Sequence, residues 1–161
     1  MAAPTVTWSN VTGGSPSKSS ISTLDFGNVQ AGYWSDAKVV VATFGGNSAN
    51  TLKFWLNDTV STGGNTDVSS GASWEHRYAI DASYIDPSTI VDNVKSGSSA
   101  DSNGNTWGVL PETEPGTSNF ETTTVSADSD TDYIFLAIQP PAAAGDGVTE
   151  NWGYRLSYLY P

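Results

Sequence analysis

The run Asp128-Ser-Asp130-Thr-Asp132 sets three carboxylates at alternate positions. That is how the opening of a calcium-binding loop presents hard oxygen ligands. A helix–loop–helix calcium site also needs Gly at about the sixth position of the loop and Glu at about the twelfth. Tyr133 and Gln139 stand there instead. The run therefore reads as a solvated turn feeding an apolar strand, Tyr133–Ile138. A second candidate, Asp101-Ser-Asn103-Gly104-Asn105, offers similar oxygens, but Asn and Gly tolerate positive φ and make tight turns without a cation. A calcium clamp built from one or both loops (Asp128, Asp130, Asp132, Asp101, Asn103) is the alternative. No metal and no cofactor is expected.

His76 is the only histidine. A Ser-His-Asp triad could use no other, and no Gly-x-Ser-x-Gly turn exists to present a nucleophilic serine. A multi-histidine zinc site is excluded by the same count. Paired carboxylates for glycoside hydrolysis would have to meet in space. Asp58, Asp67, Asp101, Asp128 and Asp146 lie in turn-like surroundings, which leaves Glu75, between aromatic positions on a strand, as the first acid to test. The chain is not expected to be an enzyme.

Aromatic residues supply the other candidate chemistry. The six tryptophans include Trp34, Trp55, Trp107 and Trp152, which would form a sugar-stacking platform if exposed and coplanar. Trp152, Tyr154, Leu156, Tyr158 and Tyr160 share one face of a final strand. That is too much apolar area to leave in water, so it is core or a subunit contact. Trp152, Tyr154, Tyr158, Tyr160 and Trp55 are the expected interface residues.

The elements that must position these groups are short strands. Pro4–Ser9, Ile21–Phe26, Ala37–Phe44, Thr51–Leu56, Trp74–Asp81, Trp107–Leu110, Asn119–Val125, Tyr133–Ile138 and Trp152–Tyr160 are each apolar or alternating and are bounded by Gly, Pro, Asn or Ser. In Thr51–Leu56, Leu52, Phe54 and Leu56 share one face, with Lys53 and Trp55 opposite. In Trp74–Asp81, Trp74, His76, Tyr78 and Ile80 face away from Glu75, Arg77 and Asp81. Asn57–Gly71 and Lys95–Thr106 read as long polar loops, and Pro140–Gly147 as a hairpin-like link between the last two strands. Ala82–Val94 carries the one candidate helical turn. Asp86-Pro87-Ser88 would start it, and Ile85, Ile90 and Val94 would form its apolar side. The expectation is a single domain over residues 1–161: an all-β, Ig-like antiparallel β-sandwich of about eight short strands, with at most one short helical turn.

Composition narrows the partners. The 161 residues carry 17 acidic against 6 basic side chains, a net charge of −11. A nucleic acid or an anionic membrane surface would be repelled. No cysteine is present, so disulfides and thiolate metal sites are excluded. Charged residues make up only 14%, which leaves Ser, Thr, Asn and Gly to form much of the surface. No apolar run is long enough for a membrane-spanning helix. The start, MAAPTVTWSN, has neither a basic nor an apolar signal region. The sequons Asn10-Val-Thr12 and Asn57-Asp-Thr59 carry little weight without export. A virion protein, made in the host cytoplasm and released by lysis, reconciles this surface with the missing signal. A mature secreted fragment with an added Met reconciles them equally.

The segment Leu24-Asp-Phe-Gly-Asn-Val-Gln-Ala-Gly32, followed by Lys38–Phe44 and Gly45-Gly46-Asn47, resembles the opening of Ig-like sandwiches of the abnormal-spindle/Hydin type. Val125–Leu136 looks like the later strand pair of such folds, with Ser126-Ala127-Asp128 where a proline-bearing turn is usual. Similar stretches, closed by a Pro-Pro-Ala turn and an aromatic last strand, occur in structural proteins of tailed bacteriophages. The resemblance covers about a third of the chain. It implies a binding or scaffolding sandwich with no catalytic residues to carry over. The expected function is a virion structural protein, either a capsid decoration (cement) protein or a tail or baseplate accessory. It would act by contact with other virion proteins and form a homo-oligomer. The alternative is a carbohydrate-binding module with an exposed Trp/Tyr platform.

Overall fold

The computed structural model describes residues 2–57, 74–144 and 152–161. Its strands are β1 (Thr5–Thr12), β2 (Ser17–Ser20), β3 (Lys38–Gly45), β4 (Ala49–Asn57), β5 (Glu75–Asp81), β6 (Gly108–Val109), β7 (Thr124–Val125), β8 (Ser129–Asp130), β9 (Tyr133–Gln139) and β10 (Gly153–Leu159). Seven form one antiparallel sheet in the order β2-β1-β3-β9-β5-β6, with β8 also paired to β3. The other three form a smaller antiparallel sheet, β10-β4-β7. The expected all-β sandwich is present.

The hydrophobic pattern explains the layering. The central strands β3 (KVVVATFG) and β9 (YIFLAIQ) are almost continuously apolar, which marks strands covered on both faces. Val40, Ala42 and Phe44 of β3 and Ile134 and Leu136 of β9 enter a core shared with Leu52, Phe54 and Leu56 of β4. The alternate residues, Val39, Val41, Phe135 and Ala137, enter a second core on the opposite face. That outer core is closed by the connection between β5 and β6, which contributes Ile85, Ile90, Val94 and Trp107. The predicted helical start is found there. Asp86 accepts a hydrogen bond from the Ser88 amide, and Pro87 opens a 3-10 turn, Pro87–Thr89. A four-residue helical turn, Asp92–Lys95, follows. No helix among the described residues is long and apolar enough to cross a membrane.

Four expectations are corrected. The second strand is Ser17–Ser20, not Ile21–Phe26. The Ile21 amide still reaches the Trp8 carbonyl at 2.9 Å, but the chain then bends at Ser22-Thr23. Ile21, Leu24 and Phe26 pack on the inner core at an irregular spacing that no strand could satisfy. Asn119–Val125 pairs only through Thr124–Val125, because Asn119 caps β4 sideways, accepting from Phe54 N and donating to Phe54 O at 2.8 Å each. The last two long strands are not a hairpin, since β9 lies in the large sheet and β10 in the small one. Among the described residues the strands number ten, where the sequence pattern suggests about eight, because β2, β7 and β8 are short pieces at edges and turns. Asn57, the expected start of a loop, is the last residue of β4, and residues 58–71 of that loop, the second sequon beyond Asn57, and Asp58, Asp67 and Asp146 lie outside the described residues.

Candidate functional site

The two acidic loops fold into structural turns. Asp128 has φ 58°, and its carboxylate accepts from the Gly46 amide at 3.1 Å, tying down the β3–β4 turn. Asp130 accepts from the Thr43 hydroxyl at 2.6 Å and pairs with Lys18 at 2.7 Å. Asp132, buried, accepts from the Thr122 amide at 2.7 Å. The three carboxylates of this run thus serve three different segments. The run is where β8 kinks into β9. Thr43 faces Asp130 and Val40 faces Ile134, so one strand carries an extra residue there, a β-bulge. Thr131 stitches it through the Ala42 amide and carbonyl at 3.1 and 2.9 Å.

Asp101 closes its own loop. It accepts from the amides of Asn103 and Asn105 at 3.0 and 2.9 Å and from the Trp107 indole at 3.1 Å. Asn103 donates to the Ser83 carbonyl at 2.8 Å. A carboxylate already accepting three hydrogen bonds has little capacity left for a ligand. No cluster of three or more His, Cys, Asp or Glu that could hold a metal occurs among the described residues.

His76 is fully buried. Its Nδ1 lies 3.2 Å from the Tyr154 hydroxyl, and its ring meets that of Trp152 edge to face at 4.5 Å. Trp74 meets Trp152 in the same way at 5.0 Å. The Nε2 of His76 has no partner among the described residues. Desolvation lowers the imidazole pKa to about 3, so the ring is neutral near pH 7. Burial also pushes the Tyr154 phenol up. This is a packed neutral pair between the two sheets, not an acid–base couple poised near neutrality. Glu75, the acid singled out for hydrolysis, is half-buried and pairs with Arg77 at 3.4 Å.

The aromatic faces do not form the coplanar exposed platform that the alternative reading, a carbohydrate-binding module, calls for. Trp107 is buried, Trp34 packs on the outer core, and no tryptophan is among the exposed large apolar side chains. Trp152, just before β10, and Tyr154, Leu156 and Tyr158 on it pack against the inner core, with Tyr154 stacked on Phe54 at 5.8 Å and Tyr158 edge-on to Phe44 at 4.8 Å. Of the five expected interface residues, these contacts occupy Trp152, Tyr154 and Tyr158. Tyr160 is 45% exposed, and its neighbour Leu159 is 61% exposed. Trp55 is half-buried on the outer face of β4, in register with Arg155. Beside it Glu114 binds Ser157 and Lys53 at 2.9 and 3.2 Å. Those hydrogen bonds hold its carboxyl below the usual carboxylate range.

Two features stand out among the described residues as open to a partner. One is the outer edge of β10, which ends the small sheet there. The other is a cleft of about 1330 Å³ at the end of the sandwich where β9 finishes and β10 begins. Its floor is the inner face of the large sheet at Trp8, Val40, Leu136 and Ile138. One wall is Phe54 with Trp152–Tyr154, and the other is residues 21–31. The cleft exists because three strands are laid over seven. The sequence pattern predicts a strand over Ile21–Phe26, while Ser22, Thr23, Asp25, Asn28 and Gln30 are the signal that residues 21–31 face solvent on one side. Comparison with protein-family models, curated proteins and solved structures finds no match.

Proposed function

We propose that this chain is a virion structural protein, a capsid decoration or tail accessory, that acts by protein–protein contact and not by catalysis. In this reading it associates with further copies through β10. The observation that carries it is that, among the described residues, one edge of that strand is unpaired. Sheet edges are normally blunted by shortness, charge or proline. The other ends of the two sheets follow that rule: β2 is a four-residue SKSS strand, and β6 and β7 have two residues each. β10 has seven residues, GYRLSYL, with no carboxylate, and runs into the exposed Leu159 and Tyr160. In a chain of net charge −11, a long strand free of negative charge is where copies can approach at least electrostatic cost. The cysteine-free, Ser/Thr/Asn/Gly-rich composition and the resemblance of Leu24–Gly32 and Lys38–Asn47 to phage Ig-like sandwiches support the virion setting.

Sedimentation velocity over a wide concentration range tests the contact. The wild type self-associates, and the pair Leu159→Glu with Tyr160→Glu sediments as a monomer with an unchanged melting temperature. Co-sedimentation with isolated phage capsids and tails tests the setting. A protein that stays monomeric and pellets with neither particle overturns the proposal.

A further inference from the structure

We infer that the cleft between residues 21–31 and the start of β10 binds a neutral oligosaccharide. Three observations carry this.

The first is charge. Among the described residues that line the cleft there is no Lys, Arg or His, and Asp25 is the single carboxylate. An anionic ligand would find no counter-charge among these residues in a protein already at −11, and a cation would find one exposed acid among them. The ligand that fits is uncharged.

The second is the division of the walls. Trp8 in the floor and Trp152 in the wall, both half-buried, supply ring surface, with the buried Trp74 edge-on to Trp152. Aromatic faces carry negative π density and so attract the C–H face of a sugar ring. On the other side Asp25, Asn28 and Gln30 are exposed. The side-chain amides of Asn28 and Gln30 make no hydrogen bond to the described residues. Asp25 uses one oxygen on the Gly27 amide at 2.7 Å. Amide and carboxylate groups with free capacity opposite indole rings match a ligand that has an apolar face and a rim of hydroxyls. A lipid would leave that polar wall unpaired.

The third is size. At about 1330 Å³ the cleft exceeds the roughly 300–1,000 Å³ of pockets for small ligands, so it has room for several linked sugar units. This site goes beyond the contact role of β10, and Asn28 and Gln30 lie on the wall opposite that strand.

The test is titration of the purified protein with cello-, malto-, manno- and chito-oligosaccharides, read by tryptophan emission and by calorimetry, with a polysulfated glycan and neutral extended peptides as further arms. At least one neutral oligosaccharide is expected to give saturable binding and an emission shift. Asn28→Ala with Gln30→Ala weakens it about tenfold or more, a loss of ~1.4 kcal/mol. The same pair leaves the melting temperature and the self-association of the protein unchanged, whereas Trp55→Ala on the outer face leaves glycan binding intact. No saturable response to any neutral glycan overturns the inference, as does binding confined to the polysulfated glycan or the peptides. Binding that N28A/Q30A leaves unaltered overturns the assignment to this cleft.

Discussion

The imidazole of His76 shows most directly how burial sets chemistry. Its folded pKa is lowered to about 3 by desolvation, against about 6.5 in an unfolded chain. Between those values the unfolded state binds more protons than the folded state, so stability rises with pH through that window. Working downward, the contribution is complete above about pH 6.5, and it declines toward a limit of about 1.4 kcal/mol per pH unit as pH falls toward 3. From pH 6.5 to 5 few carboxylates titrate, and His76 is the only histidine. Urea unfolding over that interval is therefore expected to show a clear loss of stability in the wild type and a flat profile in His76→Phe. The slope is the readout, since the variant also removes the partner of the Tyr154 hydroxyl. An equal slope in both proteins would assign the effect to other groups. The sequence placed this histidine on an aromatic face with Trp74 and Tyr78. Its complete burial against Trp152 depended on a strand that lies 76 positions away, as the residue numbers show.

At the scale of the elements, the pairing of β4 with β10 depends on a strained residue. Lys53 faces Ser157 and Asn50 faces Leu159, so β4 carries one extra residue over this stretch. Thr51 absorbs it at φ 55°, a left-handed conformation unfavourable for a β-branched side chain. Its side chain is exposed and, among the described residues, bonds only to Asn50, at 3.1 Å. Thr51→Gly should therefore raise stability by about 1 kcal/mol, visible as a higher urea midpoint with an unchanged slope. A lower midpoint would mean that the bulge is held by the threonine itself. The alternation of Thr51–Leu56 was legible in the sequence because Leu52, Phe54 and Leu56 recur at the strand period, and all three are buried as that pattern requires. The bulge was not legible, because register is fixed by the facing strand.

At the scale of the whole molecule, 17 acidic against 6 basic residues oppose the compact state through self-repulsion. Four salt bridges are formed among the described residues, too few to offset an excess of this size. Salt shortens the Debye length from about 30 Å at 0.01 M to about 8 Å at 0.15 M. Both the melting temperature and the self-association through β10 are expected to increase over that range. Differential scanning fluorimetry checks the first and sedimentation the second, and a melting temperature that falls with added salt would show that attractive surface pairs dominate instead.

What the sequence by itself determined was local. Apolar runs and alternation marked the long strands, Asp86-Pro87 marked the helical start, and Asn-, Asp- and Gly-rich segments marked the turns, because each depends on a residue and its near neighbours. Even the doubly buried sheet was written into Lys38–Phe44 and Tyr133–Ile138 as runs with no polar face. The tertiary structure alone decided how these elements were assigned to sheets. It separated β9 from β10, and it turned Ile21–Phe26 from an expected strand into one wall of a cleft. It divided Asp128, Asp130 and Asp132 among three different segments. It also kept the tryptophans from forming one exposed platform, because a three-stranded sheet over a seven-stranded one covers some aromatic faces fully and leaves others lining the gap. Which face meets which is a matter of long-range packing, and no spacing along the chain encodes it.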